Sequence, residues 1–156
     1  MIGRREAIAN VPADAPALAK FTDTAESVSE RVIGSYSTSF GGATRLLGKR
    51  HRRHVRNIYA LVRVADEIVD GVASQAGLSP AAQMDALDRY AAETHLALRT
   101  GYSSDLVIHA FARTARAAGI DASLTEPFFA SMRSDLTSPN EQRAVFDRAA
   151  HATYVY

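Results

Sequence analysis

The chain has 156 residues, and 47% of them are hydrophobic, so it can bury the core of one compact domain. Its formal net charge is +1, which favours no polyanionic partner by itself. It contains no cysteine, which excludes disulfides, thiolate catalysis and cysteine-bound zinc. The sequence shows neither a secretory signal nor the roughly 20-residue apolar run of a transmembrane helix. We therefore expect a cytoplasmic protein whose contact with a membrane, if any, is peripheral.

Helical spacing of apolar residues recurs along most of the chain. Sustained alternation of apolar and polar residues, which is typical of strands, is not found, so we predict an all-α fold. Residues 1–16 are predicted to form a flexible tail and residues 17–156 a single helical domain.

The first half of the domain is predicted to contain two helices. The first runs over residues 17–33 and ends at Gly34. A turn that contains SYSTSFGGA (35–43) should follow. A long helix then begins near a basic run and continues to Asp70, where Gly71 can stop it.

Capping residues mark the starts of the later helices. Ser79 is followed by Pro80, and proline is favoured at the first position of a helix. The other predicted elements are a helix over residues 104–118 closed by Gly119, one that starts at Thr125 or Glu126 before Pro127, and one at Ser138, where Pro139 and Glu141 complete a capping box.

The helix that ends at Asp70 carries a polar stripe of unusual content. At 100° per residue, Tyr59, Arg63, Asp66 and Asp70 fall within a narrow arc, because they stand at i, i+4, i+7 and i+11. The opposite side of the helix is apolar and includes Leu61. A phenol, a guanidinium and two carboxylates are thus aligned on one side.

Two interpretations fit this stripe. In the first, it is a solvated face on which Arg63 pairs with Asp66 or Glu67. In the second, Asp66 and Asp70 share a hard cation, above all Mg²⁺, which completes its octahedron with water and substrate phosphate oxygens. Aspartate is a poor helix former, and like charges at i and i+4 repel each other. These costs favour the metal interpretation.

A hydroxyl-rich segment, YSTSF (36–40), precedes this helix. The hydroxyls of Ser37 and Ser39, and free amides at such a turn, can receive a phosphate group beside Phe40. Serine-rich turns are also common helix caps. The segment is therefore specific only in combination with the aspartate helix.

Taken together, these segments resemble the squalene/phytoene synthase family of head-to-head prenyl transferases. The segment IYALVRVADEIVDG (58–71) most resembles bacterial phytoene synthases. The matching segments, in the family's order, are STSF (37–40), GKRHRRHVRNIYALVRVADEIVDG (48–71), FFASMRSDL (128–136) and FDRAAHATYVY (146–156).

The resemblance implies the N-terminal portion of an isoprenoid-synthase-type helical bundle with a central cavity. In that cavity, two allylic diphosphates condense with the help of Mg²⁺, for which Mn²⁺ is an alternative. The implied metal ligands are Asp66 and Asp70, the implied catalytic residues are these two with Arg63 and Tyr59, and the implied substrate contacts are Ser37, Ser39, Phe40, Tyr59 and Arg63. Glu67 lies to one side of the aspartate pair, and Asp135 matches an acidic family position near the cavity.

The family's second aspartate-rich motif has no counterpart in this sequence, since DALD (85–88) is only Asp-x-x-Asp. The resemblance therefore covers roughly the first half of a family member. We expect the 156 residues alone to be inactive, because one aspartate pair cannot clamp two diphosphates in an apolar cavity. We also expect self-association through uncovered apolar surface around Tyr59, Leu61 and Phe128.

The substrate and product stay open at this point. Conversion of geranylgeranyl diphosphate to phytoene, a step of carotenoid biosynthesis that needs no NADPH, is favoured over squalene-type synthesis from farnesyl diphosphate. The alternative from another class is a non-catalytic module whose basic run KRHRRH (49–54) binds nucleic acid or a partner protein. We expect no nucleic acid, because anionic lipid is a better fit to an enzyme whose polyprenyl product leaves into a membrane.

Overall fold

The computed structural model describes residues 15–137, apart from the side chains at positions 38, 40 and 41. Within this range the chain forms seven helices and no strand, which confirms the predicted all-α class. The helices are α1 (Pro16–Tyr36), α2 (Thr38–Thr44), α3 (Lys49–Asp70), α4 (Val72–Gln75), α5 (Pro80–Thr100), α6 (Leu106–Ala118) and α7 (Ala122–Thr137).

Helix α1 is longer than predicted at both ends. It begins at Pro16, which was assigned to the tail, because proline fits the first helical position. It passes through Gly34, since an isolated glycine only weakens a helix, and ends where the backbone of Ser37 becomes extended. The expected turn over residues 35–43 is also wrong, because Thr38–Thr44 forms the short helix α2.

Helix α3 has the predicted extent and ends at Asp70. Gly71 has a φ of −180°, which is extended backbone and not the left-handed conformation of a glycine cap. The one-turn helix α4 starts directly after it. The sequence thus predicted the end of α3 correctly, while the conformation that ends it is a different one.

The caps of α5 and α6 largely follow the sequence prediction. The Ser79 hydroxyl accepts a hydrogen bond from the Ala82 amide at 3.1 Å. Helix α6 starts at Leu106, slightly later than predicted, because the Asp105 carboxylate caps it. At the other end of α6, Gly119 has a φ of +74°, the left-handed conformation that favours glycine.

Helix α7 starts earlier than predicted. The Asp121 carboxylate accepts a hydrogen bond from the Ser123 amide at 2.9 Å and caps a helix that begins at Ala122. Pro127 therefore lies inside the helix, where it removes one backbone donor without ending the helix. The capping box predicted at Ser138 lies outside the described residues.

The core lies between α3, α5, α6 and α7. Its largest members are almost fully buried, and the Tyr90 hydroxyl on α5 donates to the Leu61 carbonyl at 3.0 Å. Leu61 is only 2% exposed, so the predicted uncovered surface around it is wrong. Tyr59 and Phe128 are half-buried. The central large residues are Leu61, Leu87, Ile108 and Phe129.

Helix α1 packs across α3 and α6 on another side of this core. Its buried face consists of Ala25, Ser29 and Ile33. None of the helices within the described range is long and apolar enough to cross a membrane. The packing of α1 on α3 positions the end of α1 beside the polar stripe.

Candidate active site

The polar stripe lies on the side of α3 that faces away from the core. Ala65, next to Asp66 in sequence, is fully buried, whereas Asp66 itself is half-buried and Asp70 is exposed. Tyr59 and Arg63 are also half-buried. The apolar residues of α3 turn inward because burial stabilises them, and this fixes the carboxylates on an accessible surface.

The Arg63 side chain connects α3 to the end of α1. Its guanidinium forms an ion pair with Glu67 one turn later and lies over the Tyr36 ring, with 4.5 Å between Cζ and the ring centroid. The Arg63 Nε is buried and has no hydrogen-bond partner among the described residues. The pair with Glu67 is the contact expected of a solvated face, so by itself it does not favour the metal interpretation.

Asp66 lies in a surplus of negative charge. Burial is the largest factor that raises its pKa, and repulsion from Asp70, Glu67 and Asp135 raises the pKa further, while Arg63 partly opposes the shift. Asp135 belongs to α7, so helix packing brings a third aspartate toward the pair on α3. A divalent cation would relieve this repulsion. On a surface of ordinary salt bridges, cationic side chains would already balance the carboxylates.

The hydroxyl-rich segment occupies the junction between α1 and α2. Ser37 is half-buried at the break between the two helices, directly after the Tyr36 that contacts Arg63. Ser39 is exposed on α2, and the Phe40 side chain is outside the described part of the structure. The structure therefore brings the start of this segment beside the stripe.

Sequence reasoning missed the role of Tyr36. An aromatic residue at the end of a helix is usually part of a core, and only the packing of α1 on α3 shows that this ring covers a guanidinium. Asp135, which matches an acidic family position, contributes to the raised pKa of Asp66. In the described range, Asp135 is the acidic residue from another helix that raises the pKa of Asp66.

The donor set suits Mg²⁺ that is completed by a ligand. Within residues 15–137, no three His, Asp or Glu side chains are placed to hold a metal by themselves. Mg²⁺ does not need such a cage, because it keeps several waters and is commonly bound by one or two carboxylates plus substrate phosphates. Asp66 and Asp70, one helical turn apart, can supply two carboxylates.

Comparison with known proteins identifies the protein family. Residues 33–156 match the family model described as squalene/phytoene synthase, and this match includes both the stripe and the α1–α2 junction. The chain belongs to the squalene/phytoene synthase family. No curated protein and no solved structure matches it.

Squalene/phytoene synthases condense prenyl diphosphates head to head, and the family generally uses Mg²⁺ to bind them. The helical architecture of the present chain agrees with the isoprenoid-synthase type of fold. The segment FDRAAHATYVY (146–156) falls within the matched range but outside the described residues.

Proposed function

We propose that the stripe on α3 is the diphosphate and metal site of a Mg²⁺-dependent prenyl transferase. Its preferred substrate is geranylgeranyl diphosphate, two molecules of which give phytoene in carotenoid biosynthesis. The surplus of carboxylates around Asp66, in a chain of this family, is the observation that carries the proposal. Asp66 and Asp70 would hold the Mg²⁺, with Mn²⁺ as a substitute. When bound, the metal supplies charge stabilisation to the departing diphosphate.

Arg63 is the cation that the chain itself provides. It stands one turn before Asp66, and its side chain is 33% exposed, so the accessible part of its guanidinium can donate to a diphosphate oxygen. The Tyr36 ring limits where the guanidinium can lie. Tyr59, one turn before Arg63, would border the substrate on α3.

The α1–α2 junction is proposed as the second wall of the substrate site. Ser37 and Ser39 offer hydroxyls to the diphosphate, and Phe40 offers an apolar contact to the prenyl chain. Support for this role comes from the position of Tyr36, which places the junction beside Arg63.

Binding of a non-hydrolysable prenyl thiodiphosphate, measured by calorimetry with and without Mg²⁺, tests the assignment. We expect the full chain to bind the analogue only with Mg²⁺, and Asp66→Asn and Asp70→Asn each to weaken binding by about tenfold or more. Asp85→Asn removes an exposed carboxylate from α5 and should bind as the unchanged chain does. Unaltered Mg²⁺-dependent binding by both stripe variants would exclude the proposed metal ligands.

The 156-residue chain by itself is proposed to be inactive. Its sequence has a single Asp-x-x-x-Asp pair, whereas two diphosphates bring several charges that need compensation from both sides. Self-association, for which the half-buried Tyr59 and Phe128 are candidates, is measured by ultracentrifugation. The proposed location is the cytoplasm, with peripheral contact to the membrane that receives the product.

Product analysis separates the two members of this reaction class. An active enzyme that contains this segment should make phytoene from geranylgeranyl diphosphate without NADPH. Formation of squalene from farnesyl diphosphate with NADPH would identify the squalene-type alternative instead. The length of the prenyl group that the site accepts depends on the depth of the apolar cavity that holds it.

A non-catalytic role in nucleic-acid binding is the alternative from another class, favoured by the exposed basic residues at the start of α3. It predicts salt-dependent affinity for DNA or RNA that does not change in Asp66→Asn. Titration of the same preparation with DNA and with the thiodiphosphate analogue separates this role from the transferase.

A further inference from the structure

The turn between α2 and α3 presents two leucines to solvent. Leu46 is 90% exposed and Leu47 is 40% exposed, and Leu46 is the most exposed large hydrophobic residue in the described part of the chain. Backbone hydrogen bonds hold the turn, from the Leu46 amide to the Ala43 carbonyl at 3.2 Å and from the Leu47 amide to the Thr44 carbonyl at 3.1 Å. The leucines are thus displayed by an ordered turn.

Positive charge surrounds this turn. Arg45, Lys49 and Arg50 are exposed, and within the described range none of them forms a salt bridge with a carboxylate. Arg53 is paired with Glu26 at 3.6 Å but stays 53% exposed. The chain has no acidic residue from position 31 to position 65. The acidic side chains of Asp23, Glu26 and Glu30 on α1 line one groove together with Lys49 and Arg53, so the charge of these two is partly compensated. Arg45 and Arg50 do not line this groove, and the two leucines lie next to them.

The stability of the fold does not explain this arrangement. Lys49 and Arg50 occupy the first two positions of α3, where the positive end of the helix dipole repels cations. Gly48, the residue before the helix, provides no side-chain cap. An exposed leucine gains nothing from water. Both features are unfavourable for the isolated fold. A partner that is anionic and also offers an apolar environment would stabilise the cations and bury the leucines.

We propose that this surface, residues 45–53, is a docking site for an anionic lipid bilayer. Leu46 and Leu47 enter the boundary between headgroups and acyl chains, and Arg45, Lys49 and Arg50 lie at the level of the lipid phosphates. Nucleic acid would use the cations but would leave the leucines exposed, so a bilayer accounts for more of the surface. The inference assigns a surface to the membrane contact proposed above, and vesicle binding tests it separately from the proposed reaction.

Sedimentation with vesicles tests the proposal on the full chain. The vesicles contain phosphatidylcholine alone, or phosphatidylcholine mixed with phosphatidylglycerol. We expect binding to the mixed vesicles, weakened by added salt, and little binding to the neutral ones. In Lys49→Gln/Arg50→Gln, affinity should fall about fivefold for each charge removed. In Leu46→Ser/Leu47→Ser, it should fall more than about tenfold.

Two control variants keep the test specific. Leu124→Ser changes a leucine on α7 that is 63% exposed, and Arg99→Gln removes an exposed charge from α5. Both should bind the mixed vesicles as the unchanged chain does. All of the substituted side chains are exposed, so thermal unfolding should show that each variant is folded.

Three results would overturn the inference. The first is no binding to the mixed vesicles, and the second is equal binding by the leucine variant and the unchanged chain. The third is tight binding to double-stranded DNA that is lost in the basic variant and kept in the leucine variant, without vesicle binding. That pattern would assign the surface to nucleic acid.

Discussion

The Asp66 carboxylate is proposed to bind metal, but in its ionised form it lowers the stability of the metal-free fold. Its raised pKa means that burial and neighbouring carboxylates make the ionised form unfavourable in the folded chain. Above the pKa of the unfolded state, this ionisation costs stability. An unfavourable ionisation on an otherwise well-packed helix is typical of a side chain that is kept for function.

Substitution of Asp66 by Asn should therefore stabilise the chain at neutral pH in the absence of metal. We expect the free energy of unfolding to rise by about 0.2–0.5 kcal/mol, because the i,i+4 repulsion with Asp70 is removed. Urea unfolding in the presence of a chelator measures this. Asp85→Asn is the matched control and should change little, and a clear loss of stability in Asp66→Asn would contradict the electrostatic account.

Two glycines show how the same substitution acts differently in different elements. Gly34 lies inside α1, and Gly119 ends α6 with a φ of +74°. An added Cβ would have no atom within 4 Å at either position, so steric contact with neighbours does not contribute.

We expect Gly34→Ala to raise the free energy of unfolding by about 0.5–1 kcal/mol, because alanine favours a helix. Gly119→Ala should lower it by about 1–2 kcal/mol, because alanine is strained in the left-handed conformation. Thermal unfolding of both variants checks the two signs. A stabilising effect at both positions would show that Gly119 is not held in the described conformation.

Local signals predicted much of the element structure. Ser79 with Pro80, and Gly119, act within one turn of their own helix, so the sequence alone was sufficient for them. Asp121 was a readable cap of the same kind, but Pro127 was taken as the stronger signal and the start of α7 was placed too late. Helix α2 was missed because a short segment rich in serine and glycine has no clear helical period.

The site was predictable in so far as it lies on one helix. The spacing of Tyr59, Arg63, Asp66 and Asp70 follows from helix geometry, and the structure keeps all four away from the core. The contact of Tyr36 with Arg63 requires knowledge of how α1 packs on α3. The proximity of Asp135 to Asp66 likewise depends on α7, and no pattern within either segment encodes it.

At the scale of the whole molecule, two histidines connect helices far apart in sequence. His109 on α6 is hydrogen-bonded to the Thr22 hydroxyl of α1 at 2.9 Å, and its Nδ1 accepts from the Ser103 amide. His54 on α3 is hydrogen-bonded to the Thr114 hydroxyl of α6 at 2.9 Å. These contacts join α1 and α3 to α6.

Both histidines should make the fold sensitive to acid. Burial lowers the pKa of His109, and Arg113 lowers it further; burial, Arg53, Arg50 and His51 lower the pKa of His54. Because the unfolded state takes up protons more readily, their contribution is complete above about pH 6.5 and is lost as the pH falls below that value.

The slope of stability against pH is at most about 1.4 kcal/mol per pH unit for each histidine. Urea unfolding at about pH 7.5 and about pH 5.5 measures it. His109→Gln should reduce the slope, whereas His51→Gln, which removes only the smallest of the effects on His54, should largely retain it. Equal slopes in these two variants would show that His109 does not titrate as the structure implies.

Helix α3 carries its charges in the order opposite to the one that its own dipole favours. It has no acidic residue in the first turn and no basic residue in the last, where Glu67 and Asp70 lie instead. In a peptide of these 22 residues, the charges at both ends would interact unfavourably with the helix dipole. The peptide should therefore form only a weak helix in isolation. What holds it are lateral contacts such as the hydrogen bond from Asn57 to Thr114 on α6 at 2.9 Å. We therefore expect the helix that bears the site to form late in folding, after the neighbours that support it, so that φ-values from Ala→Gly scanning at its exposed positions should be low.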